Sequence, residues 1–134
     1  MLALLMGILL LAIRATGGNS RKNDRYCGTV CTVSPSEHLP GYSTGKTLFS
    51  ANCASCHSKN MKDDLTGPAL GGTRQRWSTY PRKDLYEWIR NSQSMIKKGH
   101  PRARVLWSKW KPVVMNNFPA LTDEQIEYLL LYMD

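Results

Sequence analysis

The sequence has few acidic residues, no internal repeat and no alternation of apolar and polar residues that would predict β-strands. Ten acidic residues stand against 18 basic ones, which gives a formal net charge of +8. The basic residues are spread from Arg14 to Lys111, so the excess fits a solvated surface as well as an acidic partner. Because zinc-finger patterns and aromatic RNA-binding motifs are also missing, nucleic acid is the least favoured partner.

A hydrophobic run long enough to cross a bilayer is missing too. Residues 1–13 are apolar and uncharged, but thirteen helical residues reach about 20 Å, against roughly 30 Å of hydrocarbon. No Lys or Arg precedes the run, and the nearest match to a cleavage site, at residues 15–17, is weak. The segment is a membrane anchor, a cleaved leader, or a helix packed against other membrane subunits. We favour the anchor or the packed helix.

The next segment, residues 14–40, reads as a linker, since it is rich in Gly, Asn, Ser, Thr and charge and has no periodicity. Within it, Cys27 and Cys31 can close a local disulfide in an oxidising compartment, or stay as two thiols. Residues 41–134 are then expected to form a single folded domain.

Helical signals dominate this domain. Ser43 or Thr44 is a suitable cap for a first helix. An apolar stripe at i, i+3 and i+4 predicts a second helix over residues 83–91. A shorter helix is expected over residues 102–109. With no strand signal beside them, these segments predict a mainly α fold.

The last helix has the clearest signals. Thr122 and Gln125 have the spacing of a capping box, and two acidic residues between them favour the positive end of a helix. Four apolar residues then fall on one face of the helix: Ile126, Leu129, Leu130 and Met133.

The strongest chemical motif is Cys53-Ala54-Ser55-Cys56-His57. Two thiols at this spacing, followed at once by a histidine, are typical of covalent haem attachment, with the imidazole beneath the iron. A structural zinc bound by four thiolates, including those of Cys27 and Cys31, is an alternative that leaves the histidine without a role. A redox dithiol is another, although no strand–helix alternation surrounds the motif.

A haem iron that transfers electrons needs a second axial ligand, and five residues are candidates: Met61, Met95, Met115, His38 and His100. Met61 follows the histidine too closely, and the position of Met95 favours core packing. His38 falls in the linker, and His100, between a glycine and a proline, is predicted to lie on the surface. Met115 is favoured, because it sits in a loop directly before the last helix.

Four segments resemble those of class I c-type cytochromes: residues 45–57, 66–70, 115–119 and 121–132. The resemblance implies one covalent haem c on Cys53 and Cys56, with His57 and Met115 as the axial ligands of the iron. It further implies that the carbonyl of Pro68 orients the imidazole. In such a fold the first and last helices cross, here at Gly45, Phe49 and Tyr132.

The middle of the chain resembles small monohaem cytochromes attached to bacterial respiratory complexes. In this setting Arg74, Arg76 and Trp77 are candidate donors to the haem propionates; alternatively they are a surface charge pair and a core indole.

The function implied is one-electron transfer, with the chain a non-catalytic subunit of a quinol-oxidising or oxidase-linked complex. It would lie on the periplasmic side of the bacterial cytoplasmic membrane, where covalent haem is attached. Lys59, Lys62 and Lys111 would orient an acidic redox partner. The alternatives are an anchored or soluble electron shuttle, and a haem sensor or peroxidase, which would need an open sixth site.

Overall fold

The computed structural model describes residues 39–134, which form five helices and no strand. The helices are α1 (Tyr42–Asn52), α2 (Thr73–Trp77), α3 (Arg82–Lys97), α4 (Pro101–Trp110) and α5 (Asp123–Met133). The predicted mainly α fold is therefore confirmed. None of the helices in this range is long and apolar enough to span a membrane. The predictions for residues 1–13, Cys27, Cys31 and His38 fall outside the described residues.

The fold is built on the crossing of α1 and α5. Gly45 is buried there, and a Cβ at this position would collide with the backbone carbonyl oxygen of Tyr128. One turn later, Phe49 is fully buried, and its ring lies 5.3 Å from that of Tyr132 between centroids. The crossing predicted at Gly45, Phe49 and Tyr132 is present.

The capping box of α5 is also confirmed. The backbone N–H of Gln125 donates to Thr122 Oγ1 (3.2 Å), and the N–H of Thr122 donates to Gln125 Oε1 (3.0 Å). The four apolar residues predicted to share a face are all buried. The cap thus fixes where α5 begins and which face it turns to the core.

The prediction for the start of α1 is wrong. The helix begins at Tyr42, and its N-cap is Gly41, which has a φ of 91° and provides no side-chain cap. Left-handed backbone of this kind strongly favours glycine. A cap made from backbone leaves no side-chain signal, so Ser43 and Thr44 were mistaken for the helix start.

Helix α3 breaks at Asn91, where φ is −156° and ψ is 75°. The predicted end of the second helix falls at this break, but the helix resumes and runs to Lys97. Asn91 caps the second part, because its Oδ1 accepts a hydrogen bond from the N–H of Ser94 at 2.9 Å.

Two further helices differ from the prediction. Helix α2, only five residues long, was not predicted. Helix α4 is one residue longer at each end than expected.

His100 lies in a polar and aromatic cluster between α3 and α4, and the prediction that it lies on the surface is wrong. Its side chain is 16% exposed, and its ring stacks at 5.8 Å on that of Trp77. Its Nδ1 accepts from the N–H of Ala103 and caps α4, while Nε2 lies 3.2 Å from Asp84 Oδ2. These contacts hold the start of α4 against α3.

Candidate cofactor site

The attachment motif lies where α1 ends in a tight turn. The N–H groups of Cys53 and Ala54 both donate to the carbonyl of Phe49, and that of His57 donates to the carbonyl of Cys53 (3.0 Å). This backbone brings Cys53, Cys56 and His57 to the wall of one pocket. The site is thus anchored directly to the α1–α5 crossing.

His57 is held in one orientation by the loop that contains Pro68. Its Nδ1 lies 2.8 Å from the carbonyl oxygen of Pro68, and because that oxygen can only accept, Nδ1 carries the proton. The lone pair of Nε2 is then free to bind a metal. The ring is buried, at 8% exposed, so this tautomer is fixed inside the protein.

Gly67 allows the loop to approach the imidazole so closely. A Cβ at this position would lie 2.6 Å from Cε1 of His57, nearer than real Cβ contacts come. The N–H of Gly67 also donates to the carbonyl of Cys56 at 2.8 Å. The loop is therefore bonded both to the turn and to the histidine that it orients.

The pocket is mostly apolar and partly open to solvent. It has about 1300 Å³ of empty space, counting the part that is open to solvent. Besides the attachment motif, its wall is formed by side chains from α2, α3, α4 and the loop before α5. Among them are Trp77, Leu85, Trp88, Leu106, Trp107 and Met115. Such a wall suits a broad, flat and mostly apolar ligand.

Met115 reaches the pocket from a loop that is tied to α3. Ser92, which is 1% exposed and follows the helix break, donates from Oγ to the carbonyl of Met115 (3.3 Å). Further along, the N–H of Phe118 donates to the carbonyl of Arg90 (3.0 Å). The break at Asn91 thus separates the two residues that hold this loop.

The other methionines of residues 39–134 have packing roles. Met95 is 3% exposed in the hydrophobic core, and Met61 packs against that core from its edge. Met133 also reaches the pocket wall, but it belongs to the buried face of α5. Met115 is the methionine on a loop at the pocket.

Both cysteines of the motif are free, and Cys53 lacks the character of a redox thiol. Burial, with a smaller effect of the neighbouring Cys56, raises the pKa of Cys53 to about 11. The attacking cysteine of a redox dithiol instead has a lowered pKa and is partly ionised at pH 7. The site disfavours the dithiol alternative and leaves two sulfurs free for covalent bonds.

Comparison with known proteins decides between the remaining alternatives. The family model described as cytochrome c matches residues 42–134. The chain belongs to the cytochrome c family. No curated protein matches it.

Two solved structures are similar to the chain, and both are cytochromes c from Rhodothermus marinus. The first is 27% identical in sequence. The match covers 79% of this chain and 86% of the other, with a TM-score of 0.57. The second is an engineered form and is 26% identical in sequence. Here the match covers 69% of this chain and 74% of the other, with a TM-score of 0.55.

Membership of this family implies one covalent haem c, and the pocket fits it. Two free thiols, an imidazole with its Nε2 lone pair available and an apolar wall are what a porphyrin bonded through its vinyl groups requires. Cys53 and Cys56 would hold the haem, with His57 and Met115 as the predicted ligands of its iron. The haem supplies a one-electron couple between ferric and ferrous iron.

The three predicted propionate donors lie in different surroundings. Trp77 lines the pocket but is 5% exposed, within a cluster of aromatic rings. Arg76 also lines it, yet it donates to the carbonyls of Gly71 and Ala69. It therefore braces the turn next to Pro68.

Arg74 does not belong to the pocket wall. Its guanidinium forms ion pairs with Glu127 (3.2 Å) and Asp134 (2.9 Å), so its contacts are with α5. The residue that sequence reasoning missed is Arg102, which lines the pocket from α4. In the sequence, Arg102 stands out only as a basic residue at the start of a predicted helix, with no acidic residue beside it.

Proposed function

We propose that this cytochrome c is the electron-carrying subunit of a membrane respiratory complex, on the periplasmic side of the bacterial cytoplasmic membrane. The observation that carries the electron-transfer part of this proposal is that His57 and Met115 line the same pocket. If both side chains bind the haem iron, little would have to move when its oxidation state changes. A site closed in this way favours electron transfer over the binding of small molecules.

An apolar patch with basic neighbours supports docking of an acidic partner. Val113 and Val114 line the pocket and are each 42% exposed. Lys111 is exposed two residues before them, and Lys109 lies over the ring of Trp110, another pocket residue. Positive charge around an apolar contact raises the rate of encounter with an acidic redox protein.

Reversing the charge of Lys111 tests this docking. In Lys111→Glu, electron transfer to an acidic redox protein should slow severalfold at low ionic strength and approach the wild-type rate at high salt. Lys46→Glu, an equal charge change at an exposed position on α1 outside the pocket wall, is the matched control. Equal slowing by both variants would show that only net charge matters, and would contradict a docking site at this patch.

Purification of the chain from its native membrane tests the assignment to a complex. The periplasmic location is argued from the attachment of covalent haem outside the bacterial cytoplasmic membrane. After gentle detergent extraction, the haem-bearing chain should elute together with other redox subunits and be reduced when quinol is added. Recovery from the periplasmic fraction as a monomer would instead favour the electron shuttle.

A sensor or peroxidase makes a different prediction. Such proteins have an open or displaceable sixth position. If the reduced protein at pH 7 binds carbon monoxide readily, Met115 is not a stable ligand and the electron-carrier assignment fails. No change in the spectrum on adding carbon monoxide supports it.

A further inference from the structure

Arg102, the second residue of α4, has a buried guanidinium nitrogen without a partner. Its Nε is the one buried side-chain N or O atom of the described residues that lacks a hydrogen bond. In the same part of the chain Arg102 forms no ion pair, and it lines the cofactor pocket. A buried donor without a partner costs about 1–3 kcal/mol, and more when the group is charged, so a partner is expected.

The charges around Arg102 favour an anion from the ligand. The first turn of α4 contains no acidic residue, and the start of a helix carries partial positive charge of its own. Asp84, which approaches this helix start, is engaged by His100. Among the described residues of the pocket wall there is no carboxylate, and the other permanent cation is Arg76.

Haem c presents an anion that fits this site. It has two propionate carboxylates, away from the vinyl groups that cysteines bond. Arg74 and Arg76 already donate to protein oxygens, whereas Arg102 is free. We propose that Arg102 binds a propionate of the covalent haem and keeps it ionised. The proposal rests on the bound haem alone, whether the chain is a complex subunit or a shuttle.

The ionisation of the propionate follows from this contact. A cation at hydrogen-bonding distance lowers the pKa of a carboxyl group by about 1–3 units. In Arg102→Gln that pKa should rise by this amount, and the reduction potential should become pH-dependent near it. At higher pH the potential should fall, because the uncompensated carboxylate stabilises ferric iron. Arg76, His57 and the Asp84–His100 pair are unchanged in the variant.

Two controls separate this role from a structural one. Arg104→Gln removes an exposed arginine from the same helix, outside the pocket wall, and should keep the wild-type potential and pH profile. Arg102→Lys keeps a cation and should shift the propionate pKa less than Arg102→Gln does. Identical pH profiles for Arg102→Gln and Arg104→Gln would overturn the proposal.

A direct contact can be tested in the wild-type holoprotein, without relying on a variant that folds. In NMR spectra of the reduced protein, side-chain protons of Arg102 should give cross-peaks to the methylene protons of one propionate. Cross-peaks from Arg102 only to other parts of the haem ring would overturn the proposal. Cross-peaks from Arg74 or Arg76 to the propionates would show that another arginine binds them. That result would leave the electron-transfer function untouched.

Discussion

Met115 is the single side chain expected to have the largest effect on the potential of the haem iron. A neutral thioether favours ferrous iron and raises the reduction potential. In Met115→Ala we therefore expect a lower potential and loss of the weak sulfur-to-iron absorption band at the red end of the spectrum. Absorption spectroscopy of the ferric protein and a redox titration measure both.

Val114→Ala is the control for this change, since it alters an exposed neighbour on the same loop and should leave the band in place. If Met115→Ala retains the band, the second ligand is another residue.

Gly67 determines how closely the Pro68 loop approaches His57. Alanine would place a Cβ 2.6 Å from Cε1 of the imidazole, so either the ring or the loop must move. We expect Gly67→Ala to destabilise the holoprotein by about 1–3 kcal/mol and to change the hyperfine-shifted resonances of the histidine in NMR spectra. Thr66→Ala, at the exposed preceding position, should change neither. Wild-type stability of Gly67→Ala would mean that this close approach is not required.

At the scale of the helices, the break in α3 connects the core to the methionine loop. Ser92→Ala removes the hydrogen bond to the carbonyl of Met115, which contributes about 1 kcal/mol. We expect the sulfur-to-iron band to be lost at a lower urea concentration, because the loop opens more easily than the rest of the fold. Ser94→Ala leaves the capping N–H of the backbone intact and should behave as wild type. Equal loss of the band in both variants would contradict this role of Ser92.

The crossing of α1 and α5 leaves no space for a side chain at position 45. In Gly45→Ala the new Cβ would meet the carbonyl of Tyr128, which belongs to a helix backbone and cannot rotate away. We expect a loss of about 1–3 kcal/mol in the free energy of unfolding, measured by urea titration of the holoprotein. Ser50→Ala, at an exposed position of α1, should change it by less than about 0.5 kcal/mol. An equal change in the free energy of unfolding for Gly45→Ala and Ser50→Ala would show that helix propensity, rather than the close crossing, dominates.

In the molecule as a whole, the features that could be predicted are those whose residues lie close together in the sequence. The haem motif, the capping box at Thr122 and the spacing of small and aromatic residues along α1 are all contained within a few positions. Gly41 was missed because it caps α1 with backbone alone. His100 was missed because its partners lie on other elements, with Asp84 16 residues away. Arg102 was missed for the same reason, since only the assembled pocket shows that it lacks a partner.

In the described structure, Glu127 connects three helices. On α5, Glu127 accepts hydrogen bonds from Arg82 and Tyr86 of α3 and forms an ion pair with Arg74 of α2. Partial burial raises the pKa of Glu127, but the hydrogen bonds from Tyr86 and Arg82 and the charge of Arg74 outweigh it. The net result is a pKa below the ordinary value of 4.5. The ionised form therefore stabilises the fold.

The pH dependence follows from the sign of this shift. Because the pKa is lower in the folded state, the contribution is fully present above the unfolded value and is lost as pH falls through the folded one. Glu127→Gln should lower the free energy of unfolding by on the order of 1 kcal/mol at pH 7, a value discounted for partial exposure. The difference from wild type should shrink below about pH 4.5.

Urea titrations of the ferric holoprotein between pH 3 and pH 7 measure that difference. Glu87→Gln, at an exposed position of α3, is the matched control and should leave stability within about 0.5 kcal/mol of wild type. A difference between Glu127→Gln and wild type that stays constant down to pH 3 would mean that shape and packing, rather than charge, hold the three helices at this point. The ion pairs of Arg74 would then be incidental, since a carboxylate whose ionisation matters must lose its effect once it is protonated.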